Sequence, residues 1–135
     1  MADRVLPFKK DRDTGGFFAA ADRHELVYRA CNDCGASINP PHARCAACGS
    51  WNTGWKQASG KGRLFTWSVV EQQIHPAFPT PYTIVVVALE DDPSVRYVGY
   101  LDGAHDLKAD MAMRVRFEPT EDGGALPQWI PDNAR

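Results

Sequence analysis

The chain is short of several things that particular function classes require. Lysine and arginine total 15 against 17 aspartates and glutamates, a net charge of −2 with a pI near 6.0. The positive excess that usually grips duplex nucleic acid is therefore missing. No apolar run approaches the ~18 residues needed to cross a bilayer. The first dozen residues mix Asp, Arg and Lys and hold no apolar segment of signal-peptide type, so the expected location is the cytoplasm. At 135 residues there is room for one modest core, which excludes a two-lobed dinucleotide enzyme, a TIM barrel and a long repeat array. No Gly-x-Ser-x-Gly elbow, His-Glu-x-x-His pair or scaffolded carboxylate pair occurs. His24, His42, His75 and His105 are scattered through loop-like sequence and read as solvated, as does the Glu90-Asp91-Asp92 turn before Pro93.

What is present is concentrated. All 4 cysteines fall in two knuckles, Cys31-Asn32-Asp33-Cys34-Gly35 and Cys45-Ala46-Ala47-Cys48-Gly49. Amides of a tight Cys-x-x-Cys-Gly turn point at the sulfurs, and the glycine tolerates positive φ. Two facing knuckles make a closed four-sulfur tetrahedron suited to zinc or, less often, iron. The competing readings are a redox dithiol, which uses one such pair at a strand-to-helix junction, and two disulfides, which need an oxidising compartment. Cys31, Cys34, Cys45 and Cys48 are thus the expected ligands of a structural Zn²⁺. Pro40-Pro41-His42 marks the hairpin reversal, with His42 a lesser alternative ligand.

Around the knuckles the chain divides into a lead-in and helix (1–25), a ribbon (26–56) and a β-rich remainder (57–135). Residues 1–13 are polar and read as loose or weakly docked, and the alanines after Phe17-Phe18 predict a short helix. Residues 25–30 alternate as a strand feeding the first knuckle, and residues 51–55 close the ribbon. Five strands follow, at 64–70 (led into by residues 60–63), 82–89, 95–101, 111–118 and 126–130. Ile84-Val85-Val86-Val87 is apolar on both faces, Gly99 reads as a bulge or bend, and Pro127 demotes the last strand to an edge. A helical turn is expected at 104–108. The fold class is mainly β: a short helix and a rubredoxin-like zinc ribbon before a five-stranded OB-type barrel, with a five-stranded sandwich as the alternative. Trp67, Ile84, Val86, Tyr97, Val115 and Phe117 are assigned to the barrel core.

These residues also carry a likeness. An aromatic helix, Leu26-Val27-Tyr28-Arg29-Ala30-Cys31, the two knuckles, Gly60-Lys61-Gly62-Arg63-Leu64-Phe65-Thr66-Trp67-Ser68 and Pro81-Tyr82 follow in order. Over about residues 16–130 this resembles the acyl-CoA-associated OB-fold family with an N-terminal rubredoxin-like zinc ribbon. One departure is local: the family's fourth barrel strand usually opens with Gly-Met, whereas Asp110-Met111 stands here. The resemblance implies a companion subunit of a thiolase-like enzyme (an acyl-CoA thiolase, an acyltransferase or a retro-aldolase, as in degradation of steroid or aromatic side chains). Such a subunit would form a hetero-oligomer and meet acyl-CoA through the complex.

A chain whose cysteines are all committed to metal has no cysteine nucleophile to offer, so it is not expected to be catalytic alone. Phe17, Phe18, Trp51, Trp55 and Phe78 exceed what a small barrel and ribbon can bury and are the partner-interface candidates. Lys61 and Arg63, in a Gly-x-Gly setting, are candidates for the phosphates of acyl-CoA, against a plain strand-starting bend. From Arg29 to Arg63 five cations face one acid, Asp33, a mildly basic flank. The alternatives are a nucleic-acid-binding zinc-ribbon/OB module and a carrier that binds acyl-CoA without a protein partner.

Overall fold

An eight-residue helix cannot hold itself in water, so α1 (Gly15–Asp22) exists through what it docks against. The computed structural model describes residues 5–133, and the first four residues of the expected loose lead-in lie outside the described residues. Ala20 and Ala21 bury the inner face of α1. Gly16 lies flat on the Trp55 indole, where a Cβ would fall 2.1 Å from Nε1, and Phe17 packs edge-on to Tyr97 at 5.3 Å. The helix is therefore pinned to the ribbon by Trp55 and to the barrel by Phe17. Residues 9–13 are tied down by polar contacts: Lys9 Nζ reaches Asp22 at 3.0 Å and Asp122 at 3.2 Å, and Asp13 Oδ1 accepts the Ala43 N–H at 2.6 Å.

The first sheet is the ribbon. Its strands are β1 (Val27–Cys31), β2 (Ser37–Ile38) and β3 (Thr53–Gln57), in the order β2-β1-β3, all antiparallel. The second sheet contains β4 (Lys61–Val70), β5 (Tyr82–Leu89), β6 (Arg96–Asp102), β7 (Ala112–Pro119) and β8 (Ala125–Pro131), ordered β6-β5-β4-β7-β8. Its two edges, β6 and β8, meet: the Tyr100 N–H donates to Gln128 Oε1 at 2.8 Å, and Gly99 faces Trp129. That closure makes the sheet an OB-type barrel and sets aside the sandwich.

The core contains Leu64, Val85, Val87, Leu89, Val95, Leu101, Met113 and Trp129, with Trp67, Tyr97, Val115 and Phe117 packed partly buried against it. Ile84 and Val86 are not in it. They occupy the outer face of β5, whose burial alternates with Thr83, Val85, Val87 and Leu89 inward. Because all four central residues are apolar, the alternation that would reveal the inner face is absent from the sequence. The bulge sits in β4, between Leu64 and Thr66, and places Phe65 outward. Gly99 pairs in regular register with Val85 and instead provides clearance. A Cβ there would come within 3.1 Å of Trp129 Cδ1 and 3.2 Å of Trp129 N and Val85 Cγ2. Residues 104–108 hold no helix, since Leu107 is drawn inward to the core.

Asp110 accounts for the missing glycine ahead of β7. It adopts φ 66°, the left-handed conformation a glycine takes freely, while its N–H bonds the Leu64 carbonyl at 2.8 Å. Asp110→Gly should therefore stabilise the chain by roughly 0.5–1 kcal/mol, a rise of a few degrees in thermal midpoint. Gly99→Ala should lower stability by about 1–3 kcal/mol, because Trp129 and Val85 are boxed in and cannot yield to a methyl. Thermal unfolding followed by circular dichroism measures both.

Candidate metal centre and aromatic face

The two knuckles repeat one backbone pattern. Gly35 N–H bonds the Cys31 carbonyl at 3.0 Å and Gly49 N–H the Cys45 carbonyl at 2.8 Å, with φ of 78° and 80° at the glycines. β1 delivers Cys31, and Cys45 is fixed by its N–H bond to the Ser50 carbonyl at 2.8 Å. The result is convergence: the four sulfurs of Cys31, Cys34, Cys45 and Cys48 lie within 4.8 Å of one another. The Cys31–Cys48 and Cys34–Cys45 separations are 3.6 and 3.7 Å. Four bonds of about 2.3 Å directed tetrahedrally separate sulfurs by about 3.8 Å, so the donor set fits a zinc-sized ion. His42 is exposed and lies outside this set.

The electrostatics run the same way. The Cys34 N–H aimed at Cys31 Sγ, at 3.4 Å, favours the thiolate and draws Cys31 down to about 7. At Cys48 the Ser50 amide also favours the thiolate, but the Cys31 and Cys34 sulfurs outweigh it and push Cys48 up to about 12. Four thiols this close cannot all ionise unless a cation sits among them.

Beside the centre, Arg29 is buried. Its Nε and Nη2 donate to Thr53 Oγ1 at 3.1 and 2.9 Å, its Nη1 donates to the Arg12 and Asp13 carbonyls, and its guanidinium stacks 5.0 Å from the Trp55 ring. Thr53 passes its own proton to the Ala43 carbonyl at 2.7 Å. Arg29 is thus a strut between the lead-in and the ribbon, and it drops out of the basic flank read from the sequence. The ribbon in turn is clamped to the barrel. Ser37 donates its hydroxyl proton to Asp92, Asn39 Nδ2 donates to the Arg96 carbonyl at 3.0 Å, and the Tyr97 hydroxyl donates to the Val27 carbonyl at 2.8 Å.

Three of the five aromatic candidates gather in one place. Phe17, Phe18 and Phe78 line a groove of about 600 Å³ with Tyr97, Val98 and Pro127. A second cavity of about 310 Å³ adds Asn39, Pro40 and Pro41 of the ribbon, and a third of about 310 Å³ adds Tyr82, Ile84 and Tyr100. Val98 belongs to all three and is 66% exposed. Trp55 lies apart, half-buried between Gly16 and Arg29, and Trp51 stands out on the ribbon with Arg12 4.7 Å above its ring. Val98, Tyr97 and Tyr100 were invisible as surface residues in the sequence, since β6 reads as a plain apolar strand.

Lys61 and Arg63 are exposed on the outer face of β4. The amides that could have nested a phosphate are taken. Lys61 N–H bonds Ser59 Oγ at 3.2 Å, and Gly62 sits in the ladder between Leu89 and Met113. Their setting is a strand start. No helix among the described residues is long and apolar enough to cross a membrane.

Comparison with known proteins places this geometry. Residues 18–52 match the rubredoxin-like zinc ribbon domain of ChsH2 and residues 55–118 its C-terminal OB-fold domain. A chain of the solved Ltp2-ChsH2(DUF35) aldolase is 28% identical and superposes with a TM-score of 0.81 over 90% of this chain and 95% of that one. A probable enoyl-CoA hydratase alpha subunit of Thermomonospora curvata is 32% identical over 105 residues, 78% of this chain. A DUF35 domain-containing scaffold protein of Pyrococcus furiosus is 32% identical over 77 residues, 55% of this chain. The chain spans 32% of the first relative's length and 54% of the second's. With both of its modules matched in order, the chain belongs to the ChsH2 family of zinc-ribbon and OB-fold proteins.

Proposed function

We propose that this chain is a non-catalytic companion subunit of a thiolase-type enzyme that acts on acyl-CoA thioesters in the cytoplasm. The observation that carries the reading is the likeness, over nearly the whole of both chains, to a chain of the Ltp2-ChsH2(DUF35) aldolase. The Pyrococcus relative, described as a scaffold protein, supports it. So does the chemistry of the chain, because all 4 cysteines meet at one point and none is left to attack a thioester. In the Thermomonospora relative a matching stretch makes up about a third of a longer subunit named for a hydratase, in keeping with a module that accompanies catalytic chains.

In this reading residues 1–25 form the lead-in and helix, 26–56 the ribbon and 57–135 the barrel. Cys31, Cys34, Cys45 and Cys48 hold a structural Zn²⁺, which cross-links the knuckles and has no open position for substrate. Phe17, Phe18 and Phe78 present the apolar groove to the partner, together with the exposed Val98 that it shares with both neighbouring cavities. Aromatic side chains grouped around a groove are what a hot spot requires.

Two measurements test this. Elemental analysis should find one zinc per chain, and Cys45→Ser should lose the metal and unfold the ribbon, whereas His42→Ala should keep both; a well-folded, metal-free sample would refute the zinc assignment. Co-expression with a thiolase-type subunit should yield a stable complex of raised activity. Val98→Asp, on an exposed strand position, should weaken that complex by about tenfold or more (~1.4 kcal/mol) without altering the thermal midpoint. A fully active thiolase-type subunit with no affinity for this chain would overturn the companion role.

A further inference from the structure

Directly opposed residues of an antiparallel pair share a face of the sheet, and residues two apart on one strand share it too. By that rule Lys61 of β4 stands opposite Arg114 of β7, cation against cation. Arg63 extends the row along β4 and Arg116 along β7, and all four side chains are exposed. Like charges placed opposite one another destabilise a sheet, so folding does not account for the arrangement. The acids within reach neutralise it only loosely. Arg114 lies 3.9 Å from Asp132 and Arg116 3.7 Å from Glu118, beyond hydrogen-bonding distance. Arg63 reaches the Asp110 carbonyl at 3.2 Å. Lys61 has no ion pair among the described residues, although exposed Glu90, the residue that follows β5, lies beside it with its N–H bonded to the Lys61 carbonyl.

The row continues into the apolar face. Arg63 pairs with Ala88 and Ala88 with Arg96, so one line crosses β4, β5 and β6. Arg96 lies 3.9 Å over the outward Phe65 ring, and Val98, two residues further on, lines the groove and both of its neighbouring cavities.

We propose that this outer face of the barrel, cationic on β4 and β7 and apolar on β6, is the seat of a protein partner whose contact surface is an apolar ridge bordered by carboxylates. Charge complementarity selects that occupant. None of the three cavities around Val98 reaches Lys61, Arg114 or Arg116, so a nucleotide phosphate would meet flat strands whose amides are already bonded. Glu90, Glu118 and Asp132 among the cations would repel a phosphate chain, whereas a protein surface of mixed charge accommodates them. Arginine suits carboxylates in particular, through its forked pair of donors.

The inference rests on the companion-subunit reading, and association kinetics with the thiolase-type subunit separate the two. Between 50 and 500 mM NaCl the wild-type on-rate should fall by about tenfold or more, as for electrostatically steered pairs. Lys61→Glu should slow association by a similar factor at low salt while its thermal midpoint holds or rises, because the opposition to Arg114 is gone. Lys61→Arg should associate as wild type does. Association that is insensitive both to salt and to Lys61→Glu would overturn the face assignment and leave the companion role standing. Failure of the wild type to associate at any salt would overturn both. Binding of free coenzyme A by the chain alone, abolished by Lys61→Glu, would hand the row to substrate phosphates and overturn it as well.

Discussion

The ribbon lacks a hydrophobic core of ordinary size, and the rest of the structure depends on how that is made good. Its buried cluster is Cys31, Ile38 and Cys45 with Ala36 at its margin, and one of its three strands has two residues. Units this small do not hold together by apolar burial, so a cross-link must supply the difference. Four sulfurs gathered within 4.8 Å are that cross-link in waiting. Binding an ion there is folding free energy for the ribbon, since no such site exists in the unfolded chain.

From the centre the constraint passes outward through named contacts. The ribbon strand β1 carries Arg29, which anchors residues 12 and 13, and β3 carries Trp55, on which Gly16 of α1 rests. The position of α1 sets Phe17 and Phe18 at the mouth of the groove, and the Asn39-Pro40-Pro41 turn walls its neighbour. A four-cysteine centre, buried at Cys31 and Cys45 and exposed at Cys34 and Cys48, is thereby coupled to an aromatic surface on the barrel, with no residue of the centre taking part in that surface. The barrel contributes a division of labour between its faces. Inward residues make the core, and outward residues of β4 to β7 carry Phe65, Val98, Arg63 and Arg114.

Much of this was legible locally. Two Cys-x-x-Cys-Gly knuckles announce their turns because the spacing and the glycine leave few backbone solutions, and φ near 80° at Gly35 and Gly49 bears that out. The five barrel strands announce themselves by β-branched and aromatic runs between turn residues, most clearly where Met113, Val115 and Phe117 alternate with arginines and a glutamate. Where alternation is missing, as at Ile84 to Val87, the inner face could not be read. Asp110 in a left-handed turn was equally hidden, because a local φ that glycine would advertise is held here by the hydrogen bond from its own N–H to the Leu64 carbonyl and by that from the Leu64 N–H to the Met111 carbonyl.

The sequence by itself determined most of the elements, their order and the four-sulfur donor set, which follow from periodicity, turn chemistry and spacing, all short-range properties of the chain. The family was legible as a resemblance, carried by the order of those motifs. Only the tertiary structure decided that Phe17, Phe18 and Phe78 share a groove while Trp55 is turned inward, that Arg29 is a buried strut, and that Lys61 faces Arg114. Each of those depends on the register between strands dozens of residues apart, and register is set by how the whole core closes, which no local pattern encodes.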